Sequence, residues 1–132
     1  MPDPDHRPRV VIAEDSVLLQ ESIRQTIGSF CDVVATAEEG EAACRAVATH
    51  APDVLLLDVA LPDMSGFAVA ERLRGAPVAI IFITAYSEKA YADRAFQIGA
   101  KAYVAKGAID VELPAALRAV LNGSLYRSSR IP

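Results

Sequence analysis

Residues 52–66, PDVLLLDVALPDMSG, constrain the fold more than any other stretch of the chain. Val54, Leu55, Leu56 and Leu57 form an apolar run with no alternation, the pattern of a strand covered on both faces in the middle of a parallel sheet. The run stops at Asp58. In open α/β sheets ligands gather at the carboxyl ends of the strands, so a carboxylate here is placed for chemistry. Taken alone, Asp58 could equally end the strand or cap the next helix. Leu61-Pro62-Asp63-Met64-Ser65-Gly66 then supplies a turn and a helix start, with Pro and Gly as breakers and Ser as cap.

The same grammar repeats along the chain. Residues 9–13 form a short β-branched strand that ends at Glu14 and Asp15. Leu19, Ile23, Ile27 and Phe30 then recur at helical spacing opposite Gln20, Glu21, Arg24 and Gln25, and Gly28 marks the helix end. A second strand is expected at 33–35 and a helix at 38–50, burying Ala43, Cys44, Val47 and Ala51. After the central strand, a helix at 65–74 buries Phe67, Ala70 and Leu73, and Gly75-Ala76-Pro77 breaks it. Residues 78–83 are a second fully apolar strand ending at Thr84. The helix at 88–99 turns Ala92, Ala95 and Phe96 inward. The last strand, 102–105, ends at Lys106, and the last helix begins with Asp110 as N-cap, burying Leu113, Leu117, Val120 and Leu121. Strands alternating with helices imply an α/β protein with a doubly wound parallel sheet of five strands and five helices. Right-handed crossovers favour strand order 2-1-3-4-5.

Composition removes several function classes. The 132 residues suit one domain with a core of its own, and 52% hydrophobic with 23% charged residues is a globular balance. A net charge of −4 has the wrong sign for a nucleic-acid footprint, so any DNA effect belongs to another domain or a partner. Cys31 and Cys44 lack metal-ligand spacing and read as small core residues of a reducing compartment. No apolar run reaches membrane-spanning length and residues 1–9 lack a signal-peptide core, which points to the cytoplasm.

Reading only the strand ends exposes a constellation: Glu14 and Asp15, Asp58, Thr84 and Lys106. In the order 2-1-3-4-5 these ends come from consecutive strands and converge on one rim. Singly, each has an ordinary explanation. The acidic pair suits a helix start, Thr84 a strand, and Lys106 a solvated surface. Together, three carboxylates repel and resist ionising unless something compensates. A hard divalent cation such as Mg2+ does so with oxygen ligands and leaves positions for phosphate oxygens. An aspartate nucleophile beside a metal, an ammonium and a hydroxyl is equipped for phosphoryl transfer.

With these residues in place, the chain resembles the receiver domain of bacterial two-component response regulators. AEDS, LLLDVALPDMSG, ITA and GAKAYVAK carry the resemblance, which covers nearly all of residues 10–123. It implies a flavodoxin-like fold with a flexible lead-in at 1–8, a receiver domain at 9–123 and a tail or linker start at 124–132. It further implies Mg2+ held by Asp15, Asp58 and the backbone carbonyl of Ala60, with Glu14 assisting through water. Phosphate would pass from the phosphohistidine of a sensor histidine kinase or phosphotransfer protein to Asp58, with Thr84 and Lys106 on the phosphoryl oxygens. Tyr103 matches the family's switch aromatic, turning into space that Thr84 vacates; a half-buried sheet-edge tyrosine suits the same position. The switch would alter the face built by the fourth helix, fifth strand and fifth helix, with Tyr91, Arg94, Lys101 and Arg118 exposed on it. Homodimers would form through that face or through the first and fifth helices.

Gly107 departs from the family pattern, in which proline follows the lysine in a cis peptide. A non-proline cis bond costs about 2.5–4 kcal/mol, which leaves the geometry of this loop open. Receivers of the NarL/FixJ type often lack this proline too, and residues 116–127 look like that subfamily's last helix and linker. A DNA-binding domain follows in such proteins, so an excised receiver is expected, with a stand-alone receiver as the alternative. Tyr86 and Ala60, each two residues beyond a site residue, flank the site and could tune phosphate lifetime. Two other readings compete. One is a phosphorylation-independent interaction module, which Gly107 alone supports. The other is an aspartate-nucleophile phosphatase or mutase, which wants a second carboxylate where Ala60 stands. A flavin site lacks its Ser/Thr/Gly-rich phosphate loop.

Overall fold

A computed structural model describes residues 7–131. In chain order the elements are β1 (Arg9–Ala13), α1 (Val17–Ile27), β2 (Asp32–Ala37), α2 (Gly40–His50), β3 (Val54–Leu57), α3 (Gly66–Arg72), β4 (Ala79–Thr84), α4 (Lys89–Ile98), β5 (Ala102–Ala105), a 3-10 turn (Lys106–Ala108), α5 (Ile109–Leu121) and β6 (Tyr126–Arg127). The sheet order is β2-β1-β3-β4-β5-β6, every pairing parallel. The expected order 2-1-3-4-5 is present, and a short sixth strand extends it at the β5 side.

The unbroken apolar runs are explained by helices on both sides of the sheet. Successive side chains of a strand point to opposite faces. Leu55 and Leu57 of β3 and Phe82 of β4 join α2, α3 and α4 residues such as Val47, Phe67 and Ala92 in one core. Leu56, Ile81 and Ile83 join Ile23 and Ile27 of α1 and Leu113 and Leu117 of α5 in the other. A polar residue on either face of β3 would meet hydrocarbon, which is why the first polar residue comes where the strand leaves the sheet.

Local signals set two of the five helix starts. The Ser16 and Ser65 hydroxyls accept from the N–H groups of Leu19 and Ala68, both at 3.2 Å, capping α1 and α3. At α2 the capping residue Glu39 makes no such bond. Its role is taken from a distance by Asp63, whose carboxylate accepts from Gly40 N (2.7 Å) and Glu41 N (3.0 Å). These two bonds hold the Asp63 carboxyl below its ordinary range, and they tie the loop after β3 to α2.

The structure corrects the sequence reading at several places, and besides those that follow, Leu121 is exposed rather than buried and Gln20 is buried rather than on the polar face. The chain after Lys106 first makes a 3-10 turn, so α5 starts at Ile109 with Ala108 as cap, and Asp110 sits in its first turn. Helix α2 starts at Gly40, leaving Glu38 outside, and Ala51 is an exposed left-handed cap (φ 45°) rather than part of the buried stripe. Residues 124–131, expected as a tail, carry β6. Of the lead-in at 1–8, only residues 7 and 8 are described, and both are anchored. Arg7 donates to Asp32 Oδ1 (2.7 Å) and to the Gly28 and Cys31 carbonyls, and the Pro8 carbonyl accepts from Asp32 N. No helix of the described residues is long and apolar enough to cross a membrane.

Because Leu117 is fully buried between α5 and the sheet, Leu117→Ala should lower unfolding free energy by about 2–5 kcal/mol. Urea denaturation should show the midpoint falling with an unchanged slope.

Candidate functional site

The C-terminal ends of β1, β3, β4 and β5 lie side by side, and the residues there meet as a charged cluster. Asp58 follows β3 directly, and its N–H donates to the Ala13 carbonyl at 3.0 Å, holding it beside the end of β1. The Lys106 ammonium, one residue beyond β5, donates to Asp58 Oδ2 at 2.8 Å and lies 3.2 Å from Glu14 Oε2. Glu14 and Asp58 are only 2% and 3% exposed, whereas Asp15 is exposed. One carboxylate oxygen from each of the three acids lies within 4.8 Å of the others.

Glu14 is held in place on several sides. Its N–H donates to the Ala37 carbonyl (2.9 Å), its own carbonyl accepts from Gln20 Nε2 (2.6 Å), and its carboxylate accepts from Ser16 N (3.2 Å). Burial, then the hydrogen bond and charge of Asp58, push its carboxyl up to about 7, against the opposing pull of Ser16 N–H and Lys106. Burial pulls the Lys106 ammonium down, but its bond to Asp58 and the charges of Asp58 and Glu14 outweigh that and hold it above its ordinary value. One ammonium therefore leaves the acidic cluster under-compensated. An oxygen-rich set in which Glu14 resists ionising fits a hard divalent cation. Ala60 stands beside the cluster, its N–H donating to Asp58 Oδ1 at 3.2 Å.

Thr84 ends β4 on the same rim and is buried. Its Oγ1 accepts from Tyr86 N at 3.0 Å, and the Tyr103 hydroxyl donates to the Tyr86 carbonyl at 2.8 Å. No hydrogen bond joins Thr84 to the carboxylates among the described residues. Tyr103 is fully buried and paired on both sides, not a half-buried tyrosine at a sheet edge. Burial pushes its hydroxyl up to about 12 against an opposing contact with Thr84. Tyr86 stacks on Tyr91 (centroids 4.9 Å apart), Tyr91 on Phe67 (6.2 Å), and the Arg94 guanidinium covers the Phe67 ring at 4.5 Å. Lys101 is exposed as expected. Arg118 is exposed too, but it covers Phe30 beyond α1 and so belongs to the α1 side of α5. The Lys106–Gly107 bond is trans, like every peptide bond of the described residues.

Two positioning residues carry no role in the sequence reading. A Cβ on Gly66 would lie 2.2 Å from the Asp58 carbonyl oxygen. Only glycine lets the α3 start close against the β3 end, where Gly66 N–H donates to the Val59 carbonyl at 2.7 Å. Asp63 fixes the same loop from its other side through the α2 N-terminus. Both lie in the Pro62-to-Gly66 turn, where punctuation is visible and partners are not.

Comparison with known proteins follows the same lines. The model of the response regulator receiver domain matches residues 10–118. An uncharacterized response regulatory protein of Vibrio cholerae is 39% identical over 101 residues, 73% of this chain and 38% of that protein. The response regulator UvrY of Escherichia coli is 32% identical over 126 residues, 92% of this chain and 58% of UvrY. The chain therefore spans between about a third and three-fifths of the length of these two relatives. A crystal structure of a LuxR-family two-component response regulator from Aurantimonas superposes with TM-score 0.90 at 28% identity, covering 96% of this chain and 93% of that one.

A carboxyl raised in the folded state stabilises the fold only while protonated. Its contribution is complete below the ordinary value of 4.5 and disappears as pH rises through about 7. Metal-free protein should therefore lose thermal stability between pH 5 and 8, and Glu14→Gln should flatten that slope. Added Mg2+ should raise the melting temperature more at pH 8 than at pH 5. Gly66→Ala should cost about 1–3 kcal/mol in urea denaturation as an overpacked site, and it should weaken the Mg2+-induced shift.

Proposed function

The chain belongs to the response regulator receiver domain family, and on that footing we propose that it is a phosphoacceptor whose acceptor is Asp58. The observation that carries the reading is the 2.8 Å contact of Lys106 Nζ with Asp58 Oδ2, beside buried Glu14. A carboxylate this deeply buried needs such a partner, and a lysine solvated at the surface would not reach it.

An Asp58 oxygen would attack the phosphorus of a donor phosphohistidine. The new bond is an acyl phosphate O–P bond, the P–N bond breaks, and the departing imidazole keeps the electron pair. Before transfer Lys106 holds the carboxylate; on transfer it would stay beside Asp58 and neutralise a phosphoryl oxygen. Thr84, at the neighbouring strand end, would offer its hydroxyl to another. Asp15, Asp58 and the Ala60 carbonyl, with Glu14 through water, would hold Mg2+, which when bound supplies positive charge against the phosphoryl oxygens. Ala60 needs only its backbone for this. The charge of the cation would favour the ionised form of the nearby Glu14, which would link occupancy to pH.

The donor would be a sensor histidine kinase or phosphotransfer protein in the cytoplasm. The domain signals rather than turns over substrate, assisting its own phosphorylation and dephosphorylation. Tyr86, half-exposed above the rim, would limit water access to the acyl phosphate. Its side chain stacks on Tyr91, while its backbone joins Thr84 to Tyr103, so it stands between the site and the rest of the α4 side. Movement of Thr84 toward phosphate would break the Tyr86 N–H contact and loosen Tyr103. Phosphate shifts that balance only by its differential affinity for the two states. Relatives such as UvrY are longer than this chain, and in a longer protein of this family a DNA-binding domain would carry the output.

Incubation with Mg2+ and acetyl phosphate should add one phosphoryl group by intact mass, and Asp58→Asn should add none. Lys106→Ala should slow the addition by about two orders of magnitude, the scale for losing one preorganised charge contact. An unmodified mass for the native chain would support the phosphorylation-independent module instead. Steady turnover of a generic phosphate ester would support a phosphatase.

A further inference from the structure

Glu112 is a buried acid that the charged cluster at the rim does not use. It sits in the first turn of α5 and is only 6% exposed. Its carboxylate is satisfied by three neutral donors: the Tyr126 hydroxyl (2.8 Å), the Ser128 hydroxyl (2.8 Å) and Ser129 N–H (3.0 Å). Burial alone would raise its carboxyl, but these bonds, with the charge of Arg130, outweigh burial and hold it below the ordinary carboxylate range. Burial, and then Glu112, push the Tyr126 hydroxyl up to about 12, so it stays a donor. A carboxylate out of water is costly unless it is hydrogen-bonded, and all three donors come from residues 126–129. The acid and the C-terminal segment therefore depend on each other.

The same segment is fastened elsewhere too. Gly123 turns the backbone at φ 84° after α5. Tyr126 N–H then donates to the Lys101 carbonyl (3.0 Å) and Ser128 N–H to the Tyr103 carbonyl (2.8 Å), which makes β6 a parallel neighbour of β5. On the α4 flank, Asp93 accepts from Arg127 at 2.8 Å, and the Arg127 guanidinium covers the Phe96 ring at 5.1 Å. Ser128 and Ile131 are buried, at 1% and 5% exposure, and Ile131 joins the core cluster that contains Tyr103. Gly107 belongs to the arrangement as well: a Cβ there would lie 2.9 Å from Arg130 Nη1. The residue that departs from the receiver pattern leaves room for this arginine over the β5–α5 connection.

An open sheet edge offers unpaired backbone groups to any strand that arrives. In a five-stranded sheet β5 would be such an edge, but its Lys101 and Tyr103 carbonyls are already taken. What faces outward on this flank is the segment itself, with Leu125 at 64% exposure and Ser129 and Arg130 exposed.

We propose that Glu112 is a charged lock which makes residues 126–131 a permanent part of the fold and closes the β5 edge to strand addition. A partner on this flank then meets residues 124–130 and not β5. The proposal rests on packing and stands apart from the reading of Asp58.

Amide hydrogen exchange on the full chain at neutral pH tests this, with the β4 amides as the reference for global unfolding. In the native chain the Tyr126 and Ser128 amides should exchange within about tenfold of that reference. Glu112→Gln keeps the size and removes the charge, and it should speed both amides by at least about tenfold relative to β4. Val47→Ala is a buried change on α2, which packs over β1 and β2 at the other side of the sheet. It should speed segment and β4 together and leave their ratio unchanged. Tyr126→Phe removes one of the three bonds to Glu112 and should shift the ratio the same way, should Glu112→Gln fail to fold. Native segment amides more than about tenfold faster than β4 would show a strand that frays by itself and overturn the proposal. An unchanged ratio in Glu112→Gln would show that Arg127 and Ile131 hold the segment without the carboxylate, and would overturn it equally.

Discussion

Two buried carboxylates share one ammonium at the rim of this sheet, and that imbalance governs the rest of the structure. Glu14 and Asp58 are almost entirely removed from water, with Lys106 between them. Burying charge is costly unless partners compensate, and breaking such a set strands what remains. The protein meets the cost partly with Lys106 and the Ser16 N–H, and partly by letting Glu14 keep a proton near neutrality. A site that remains short of positive charge is receptive to a divalent cation.

The fold exists, in this sense, to hold the acidic ends of two strands, β1 and β3, together against repulsion, with Lys106 from the β5 end beside them. Parallel strands leave the sheet in the same direction, so their C-terminal residues meet without any strand having to turn. Apolar side chains on both faces of β3 and β4 lock the register, because a slip of one residue would exchange the contents of the two cores. The loop after β3 is braced separately, by the close approach of Gly66 and by the Asp63 carboxylate at the start of α2. Behind the rim, Thr84, Tyr86 and Tyr103 form a hydrogen-bonded line that reaches the β5 backbone. The C-terminal segment is bonded to that same backbone, at the Tyr103 carbonyl. The rim, Tyr103 and the C-terminal segment are contiguous.

What was legible in the sequence follows from what is local. Strands β1, β3 and β5 have the limits read from apolar runs, since a strand buried on both faces announces itself. Glu14, Asp15, Asp58 and Lys106 meet because a strand-end position is visible as the point where such a run stops. Features made by distant partners were not legible. Asp63 caps a helix that begins 23 residues earlier in the chain, and nothing near Asp63 marks it as a cap. The start of α5 was misplaced because Asp110 is a good capping residue, while a 3-10 turn from Lys106 had already begun the coil. The sixth strand carries no local signal, because Tyr126 and Ser128 are held by Glu112, and a glutamate on a helix reads as a solvated residue. The alternative reading of Tyr103, a half-buried tyrosine at a sheet edge, fails because this same segment pairs with the β5 edge.

The central physical claim is that burial, and then the neighbouring Asp58, push the Glu14 carboxyl up to about 7. Carbon-13 NMR titration of the Glu14 side-chain carboxyl addresses it directly. In metal-free protein the midpoint should fall at about 7, and saturating Mg2+ should move it well below that. A midpoint at the ordinary 4.5 in metal-free protein, unmoved by Mg2+, would contradict the account.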